Sequence, residues 1–164
     1  MVKPMIPESA IWQALDEVMD PELPAVSLVE MGIVREVNID EAGVVRVTIT
    51  PTFAGCPALH MMRDAISSRL AALGIAQVAV DITYQPPWST NFIKDSAKTK
   101  LKAYGIAPAP IHSGDFELAL TEAVHCPYCD SINTVLKNNF GPTPCRMIYY
   151  CNTCQQPFAR FKPL

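Results

Sequence analysis

The chain has 164 residues, 49% hydrophobic and 18% charged, with a net charge of −3, enough for one domain of ordinary size or for one with a small module beside it. So apolar a composition excludes disorder, and no uncharged run approaches the ~18–20 residues that cross a bilayer. The charge is uneven, with 9 basic and 14 acidic residues before position 120 and 4 and 2 after it, but neither part has the Lys/Arg cluster of a nucleic-acid footprint; membrane and nucleic acid are set aside as partners.

The N-terminus, MVKPMIPESAIWQ, has early prolines and no apolar h-region, so a cytoplasmic chain without signal or transit peptide is expected. From Pro7 to Met19 the apolar residues Ile11, Leu15 and Val18 recur at i, i+4 and i+7, which predicts a helix with Pro7 in its first turn. DPELP, residues 20–24, is predicted to stop it and to form a carboxylate-rich loop, since its prolines cannot continue a helix. GIVREVNI then alternates Ile33, Arg35, Val37 and Ile39 against Val34, Glu36 and Asn38, and VVRVTIT repeats the period of two after DEAG, predicting a β-hairpin. Residues 57–73 switch to a helical period, with Leu59, Met62, Ile66, Leu70 and Leu73 in one stripe, Pro57 at the start and Gly74 past the end. IAQVAVDITY, 75–84, reads as a further strand whose crossover through that helix makes it a parallel neighbour of the hairpin. After QPPWS an amphipathic helix runs to about Tyr104, closed by Gly105. The order αββαβα over residues 1–106 describes an α+β fold, a small two-layer α/β sandwich. APAPIHSGDFE mixes prolines with small polar residues and has neither period, so 107–120 reads as a linker, leaving 121–164 as a second module.

Five of the six cysteines lie between 126 and 154, and in a reducing compartment metal or redox chemistry is a better reading than disulfides. HCPYCD and YCNTCQ give Cys126-x2-Cys129 and Cys151-x2-Cys154 with 21 residues between the pairs, close to the spacing of structural zinc sites. Each CxxC turn brings two thiolates to one metal, and TVLKN and RMIYY are predicted strands that return the chain to close the tetrahedron. Four protein ligands make the zinc structural, and a piece of about 40 residues with little core draws much of its folding free energy from the metal. A rubredoxin-like iron site, a labile cluster or four buried free thiols are the alternatives. Cys145 is left over, either a small buried apolar residue or a transient ligand or redox partner, with Cys56 as the thiol it would resolve. His125 reads as a spectator.

Cys56, in TPTFAGCPALHMM, stands apart from the others. It is predicted to lie where a strand and short loop turn into the helix opening at Pro57, so that its thiol nears the N-terminal amides and the positive end of the dipole, which favour the thiolate. MDPELP supplies Asp20 and Glu22 from another loop, and if the loops meet, thiolate and carboxylate can hold a metal between them. The competing reading is architectural, with Cys56 a buried N-cap and Asp20 a cap of the first helix or its turn. His60 and His112 read as surface or packing residues. No Ser/His/Asp order, phosphate loop or HExxH is present, so an ordinary hydrolase or nucleotide enzyme is unsupported.

Together, VMDPELPAVSLVEMGIVREV and TPTFAGCPA resemble the SufT-like iron-sulfur assembly domain, over residues 6 to about 105. PPWSTNFIKDSAKTKLKAYGIAPAP and CPYCDSINTVLKNNFGPTPCRMIYYCNTCQQPFARFK extend the likeness to the D subunits of bacterial phenylacetyl-CoA epoxidase systems, over the whole chain. The resemblance implies an accessory subunit that does not itself catalyse epoxidation but helps to mature an iron or iron-sulfur centre in an oxygenase or reductase partner, during aerobic phenylacetate breakdown. A docking subunit with purely architectural cysteines is the alternative. By the same resemblance the assembly-domain positions fall on Asp20, Pro21, Glu22 and Cys56 and the zinc positions on Cys126, Cys129, Cys151 and Cys154, with structural zinc and a transient iron or cluster as cofactors. Self-association into a homodimer is left open. Two departures stand out: Asp130 follows the first knuckle where glycine is usual, though Asp tolerates the left-handed conformation, and TNFI replaces an acidic residue and tryptophan.

Overall fold

The computed structural model describes residues 6–114 and 121–164; the first five residues and the second part of the predicted linker, 115–120, lie outside the described residues. The chain forms two compact units that divide between Trp88 and Ser89. No helix among the described residues is long and apolar enough to cross a membrane.

The first unit is built from helix α1 (Glu8–Leu15), strands β1 (Val34–Ile39) and β2 (Val45–Ile49), helix α2 (Leu59–Ala72) and strand β3 (Val78–Ile82). The sheet order is β1-β2-β3, with β1 and β2 antiparallel and β3 parallel to β2 in the register Val45↔Val78 to Ile49↔Ile82. The hairpin and the parallel crossover are those the two periodicities predict. Gly43, at φ 80°, makes the hairpin turn, and the Asp40 carboxylate closes it by accepting from Val44 N at 2.9 Å. The helices form the second layer. Ile11, Ala14 and Leu15 of α1 and Met62, Ile66 and Leu70 of α2 are buried and share the core with Ile33, Val37, Val45, Val47 and Ile49.

Three details depart from the sequence expectation. β1 does not alternate strictly: a register shift between Val34 and Glu36 lets Ile33 and Val34 both be buried, as a bulge does by adding a residue to one strand. α1 ends at Leu15 and not at DPELP, because the next backbone groups pair with the returning chain: Leu28 N donates to Val18 O and Asp20 N to Val26 O, each at 2.9 Å, around the Met19↔Ser27 bridge. α2 starts at Leu59, with Pro57 left in a preceding turn and Ala58 as its N-cap. Trp88 is buried and anchors the end of the unit by donating its indole N–H to Met31 O at 2.9 Å.

The second unit contains a 3-10 turn (Thr90–Phe92), helix α3 (Asp95–Ala103) and strands β4 (Ile106–Ala107), β5 (Thr134–Asn138), β6 (Arg146–Cys151) and β7 (Pro157–Phe161), in the sheet order β4-β7-β6-β5. β4 runs parallel to β7, Ile106↔Ala159 and Ala107↔Arg160. This pairing moves the division of the chain: α3 and β4 belong with the cysteine module, the first unit is αββαβ, and the boundary comes before 106. The predicted linker therefore opens as a strand, with Ala107 and Ala109 buried; two residues are too few to display a period. The core of this unit is Ala107, Val124, Cys126, Met147, Tyr149, Cys151 and Phe158, with the Tyr149 and Phe158 rings stacked at 5.8 Å.

Candidate metal centre

Two tight turns of one design carry the four cysteines. In the first, Cys126 N donates to Ser131 O and Asp130 N to Cys126 O, each at 2.9 Å; in the second, Cys151 N donates to Gln156 O at 3.0 Å. Each turn needs a left-handed residue just after its second cysteine, and Asp130 at φ 62° and Gln155 at φ 58° take those places. Asp130 thus adopts the conformation its tolerance for that region permits. The turns are joined to each other by Ser131 Oγ with Thr153 Oγ1 at 2.8 Å and by Asn152 N to Asn133 O at 2.9 Å. β5 and β6, the predicted returning strands, hold them in register with Thr134 opposite Cys151.

All four sulfurs lie within 4.8 Å of one another, with Cys126–Cys154 and Cys129–Cys151 each at 3.6 Å. A zinc ion with Zn–S bonds of ~2.3 Å in a tetrahedron sets its sulfurs about 3.8 Å apart; the donor set and its spacing fit a closed four-thiolate site. The thiols are not equivalent. Backbone N–H donation from Cys154, supported by Thr153, holds the Cys151 thiol down to about 6, whereas burial pushes Cys154 up to about 12. One position is thus prepared as a thiolate while another keeps its proton until a cation displaces it.

The neighbours of this site are structural. His125 is exposed and its Nδ1 lies 3.2 Å from Asp130 O, not in the sulfur group. Lys102 of α3 bonds the Asp130 carboxylate at 2.9 Å, and that hydrogen bond and charge hold the carboxyl below its ordinary range. Cys145 is buried, with its sulfur 3.1 Å from Thr143 Oγ1. His112 ties the chain locally: its Nε2 lies 3.1 Å from Thr90 Oγ1 and 2.9 Å from Leu164 O.

In the first unit the candidate residues are held in two loops. Cys56 is 7% exposed; its N–H donates to Phe53 O at 3.2 Å and its carbonyl accepts from Leu59 N at 3.3 Å, so it lies in the turn ahead of α2 and not at the cap itself. Asp20 is 4% exposed, and its Oδ1 accepts from Glu22 N at 2.8 Å and Leu23 N at 3.1 Å, organising the DPEL turn from inside. Glu22 is half-buried. Among the described residues the four cysteines are the group of three or more metal-type ligands that comes together; Asp20, Glu22 and Cys56 do not form one.

Other residues of these loops escape the sequence reading. Ser27 and Glu30 cap each other, Ser27 N to Glu30 Oε2 at 3.1 Å and Glu30 N to Ser27 Oγ at 3.0 Å, while Ser27 Oγ donates to Asp16 at 2.6 Å. The S-x-x-E spacing of SLVE is a capping-box signal that could have marked them. His60 is exposed on α2. Thr50, at the far end of the loop from Cys56, is completely buried, and its Oγ1 has no hydrogen-bond partner among the described residues. A buried hydroxyl in that condition costs stability unless something else engages it.

Two family profiles cover most of the chain. The one described as iron-sulfur cluster assembly protein matches residues 8–82, and the PaaD zinc beta ribbon domain matches residues 111–162. A protein of Escherichia coli (strain K12) that carries the name of the D subunit of 1,2-phenylacetyl-CoA epoxidase is 36% identical over 152 residues, 93% of this chain and 90% of that one. The Fe-S protein maturation auxiliary factor YitW of Bacillus subtilis (strain 168) is 38% identical over 82 residues, 49% of this chain and 79% of the relative. A crystal structure of a domain of unknown function, DUF59, from Bacillus anthracis superposes with a TM-score of 0.54 at 30% identity, over 57% of this chain and 90% of that one.

Proposed function

The chain belongs to the family of the D subunits of 1,2-phenylacetyl-CoA epoxidase, and on that premise we propose that it is an accessory protein which assists assembly of an iron or iron-sulfur centre in an oxygenase or reductase partner. The observation that carries this reading is the division of the cysteines. Four are drawn into one closed group on the second unit, where a zinc ion would brace the fold with no open coordination position. Cys56 stands outside that group, buried in a loop of a unit whose profile is that of iron-sulfur assembly proteins. In this role iron or a cluster is cargo, received near Cys56 and passed on, while the zinc-bearing unit meets the client.

The second reading, a docking component whose cysteines are architectural, is favoured by one specific observation. The Asp20 carboxylate is already engaged by the backbone of its own turn, which accounts for a buried acid without any metal.

Anaerobic purification of the wild type and Cys56→Ser, with zinc, iron and acid-labile sulfide measured alongside the visible spectrum, separates them. Both proteins are expected to hold one zinc, and only the wild type to take up iron or a cluster from a donor. If neither accepts iron, carriage by Cys56 is wrong and docking is the better account.

A further inference from the structure

The two edges of the first unit's sheet are built differently. β1 carries the bulge between Val34 and Glu36 and the polar residues Arg35, Glu36 and Asn38, the devices by which natural sheets blunt an edge. β3, VAVDI, keeps an unbroken register against β2, contains neither proline nor lysine, and leaves Val78, Ala79, Val80 and Ile82 each half-buried. Among the described residues no strand pairs with its other edge, and its hydrogen bonding fixes what that edge offers. Gln77 O accepts from Val45 N, and Thr83 N donates to Ile49 O. With a period of two, residues 77, 79, 81 and 83 direct their peptide groups to β2, and Val78, Val80 and Ile82 direct theirs away from it. Beside this edge, His60, Arg63, Asp64 and Ser67 of α2 border, with residues 78–81, a cleft of about 320 Å³.

We infer that this edge pairs with a second copy of the chain, β3 against β3, antiparallel, about a two-fold axis at Val80. The outward N–H and C=O of Val80 then meet those of Val80 in the second copy, and those of Val78 meet Ile82, so that two three-stranded sheets become one continuous sheet. A second copy is the occupant because the flanking strip is its own complement. Antiparallel pairing lays the α2 helices side by side in opposite directions, bringing Arg63 of each copy to Asp64 of the other; a self-complementary patch of this kind is what an isologous interface requires. Asp81 adds no opposing charge, being bridged to Arg46 at 2.7 Å. The pairing is independent of the metal chemistry.

Light scattering on the full, zinc-loaded chain during size-exclusion chromatography tests it. The wild type is expected at twice the 18.0 kDa chain mass. Val80→Pro removes one outward N–H at an edge position where proline is tolerated and is expected at the monomer mass with unchanged circular dichroism and zinc content. Arg63→Asp should weaken the dimer by about tenfold or more, and adding Asp64→Arg should restore it. A wild type that stays monomeric at every concentration overturns the inference, as does a dimer that Arg63→Asp leaves untouched. Should Val80→Pro fail to fold, the charge pair decides.

Discussion

The two units reach stability by different routes. The first buries a continuous apolar layer between two helices and a sheet, with Ile11, Leu15, Ile33, Val47, Ile49, Ile66 and Leu70 all fully enclosed. The second has a smaller core in which Cys126 and Cys151 are themselves core residues, and its β5 leaves Val135 and Leu136 exposed. A unit of the first kind is held by area removed from water. One of the second kind depends on a cation joining two turns that its own apolar contacts hold weakly. The difference shows in the cysteines: four of the second unit are brought into one group by its turns, whereas Cys56 of the first lies outside it.

The most forceful way to break the contrast is Cys151→Ser. Structural zinc contributes about 10–16 kcal/mol in small modules, so this variant should lose zinc and unfold the described elements of the second unit while the amide spectrum of the first unit persists. Survival of both sets of resonances without metal would remove the contrast. The same site links zinc to pH. At neutral pH Cys154, raised to about 12, holds a proton and Cys151, lowered to about 6, does not. Zinc must displace the first, so loading releases protons and affinity rises with pH. Calorimetry in buffers of different ionisation enthalpy measures that release.

Leu70→Ala cuts the other way. It is expected to cost the first unit about 2–5 kcal/mol and to leave the zinc content unchanged. Asp20→Ala, which takes the carboxylate acceptor from Glu22 N and leaves Leu23 N with the Asp20 carbonyl, should cost about 1–3 kcal/mol, read from denaturant midpoints. Asp20→Asn keeps an acceptor in place and should recover most of this loss, separating the turn-holding role of Asp20 from any need for its charge. The smallest effect belongs to Gln155→Gly, which relieves a left-handed backbone and should raise the second unit's stability by up to about 1 kcal/mol. Asp130→Gly should gain less, because it also gives up the Lys102 bond.

What the sequence made legible follows the same divide. The hairpin, α2 and β3 were readable because each runs long enough for a period to register, and the four cysteines because their spacing encodes the turn chemistry itself. β7 escaped: it opens on Pro157 and places Arg160, only 1% exposed, at an inward position, where a pattern reading expects an apolar residue. β4 escaped because a two-residue strand has no pattern, and the end of α1 because backbone pairing with residues 26–28 is a non-local event. At the candidate site the residue types were visible, but the engagement of Asp20 by its own turn and the solitary hydroxyl of Thr50 are matters of placement, which no spacing records.

The parallel pairing of β4 with β7 has a further consequence for how the molecule comes into being. The helices, strands and sheet pairings of the first unit all lie within residues 8–82, so they can form while the ribosome is still adding the remainder. Ile106 and Ala107, by contrast, must wait for 157–161 to be synthesised before their sheet partner exists. During that interval Ile106 and its neighbours stand uncovered in the nascent chain, the condition under which non-local pairing slows folding and invites misassembly. Slow translation after residue 107 should therefore be harmless to the first unit and costly to the second.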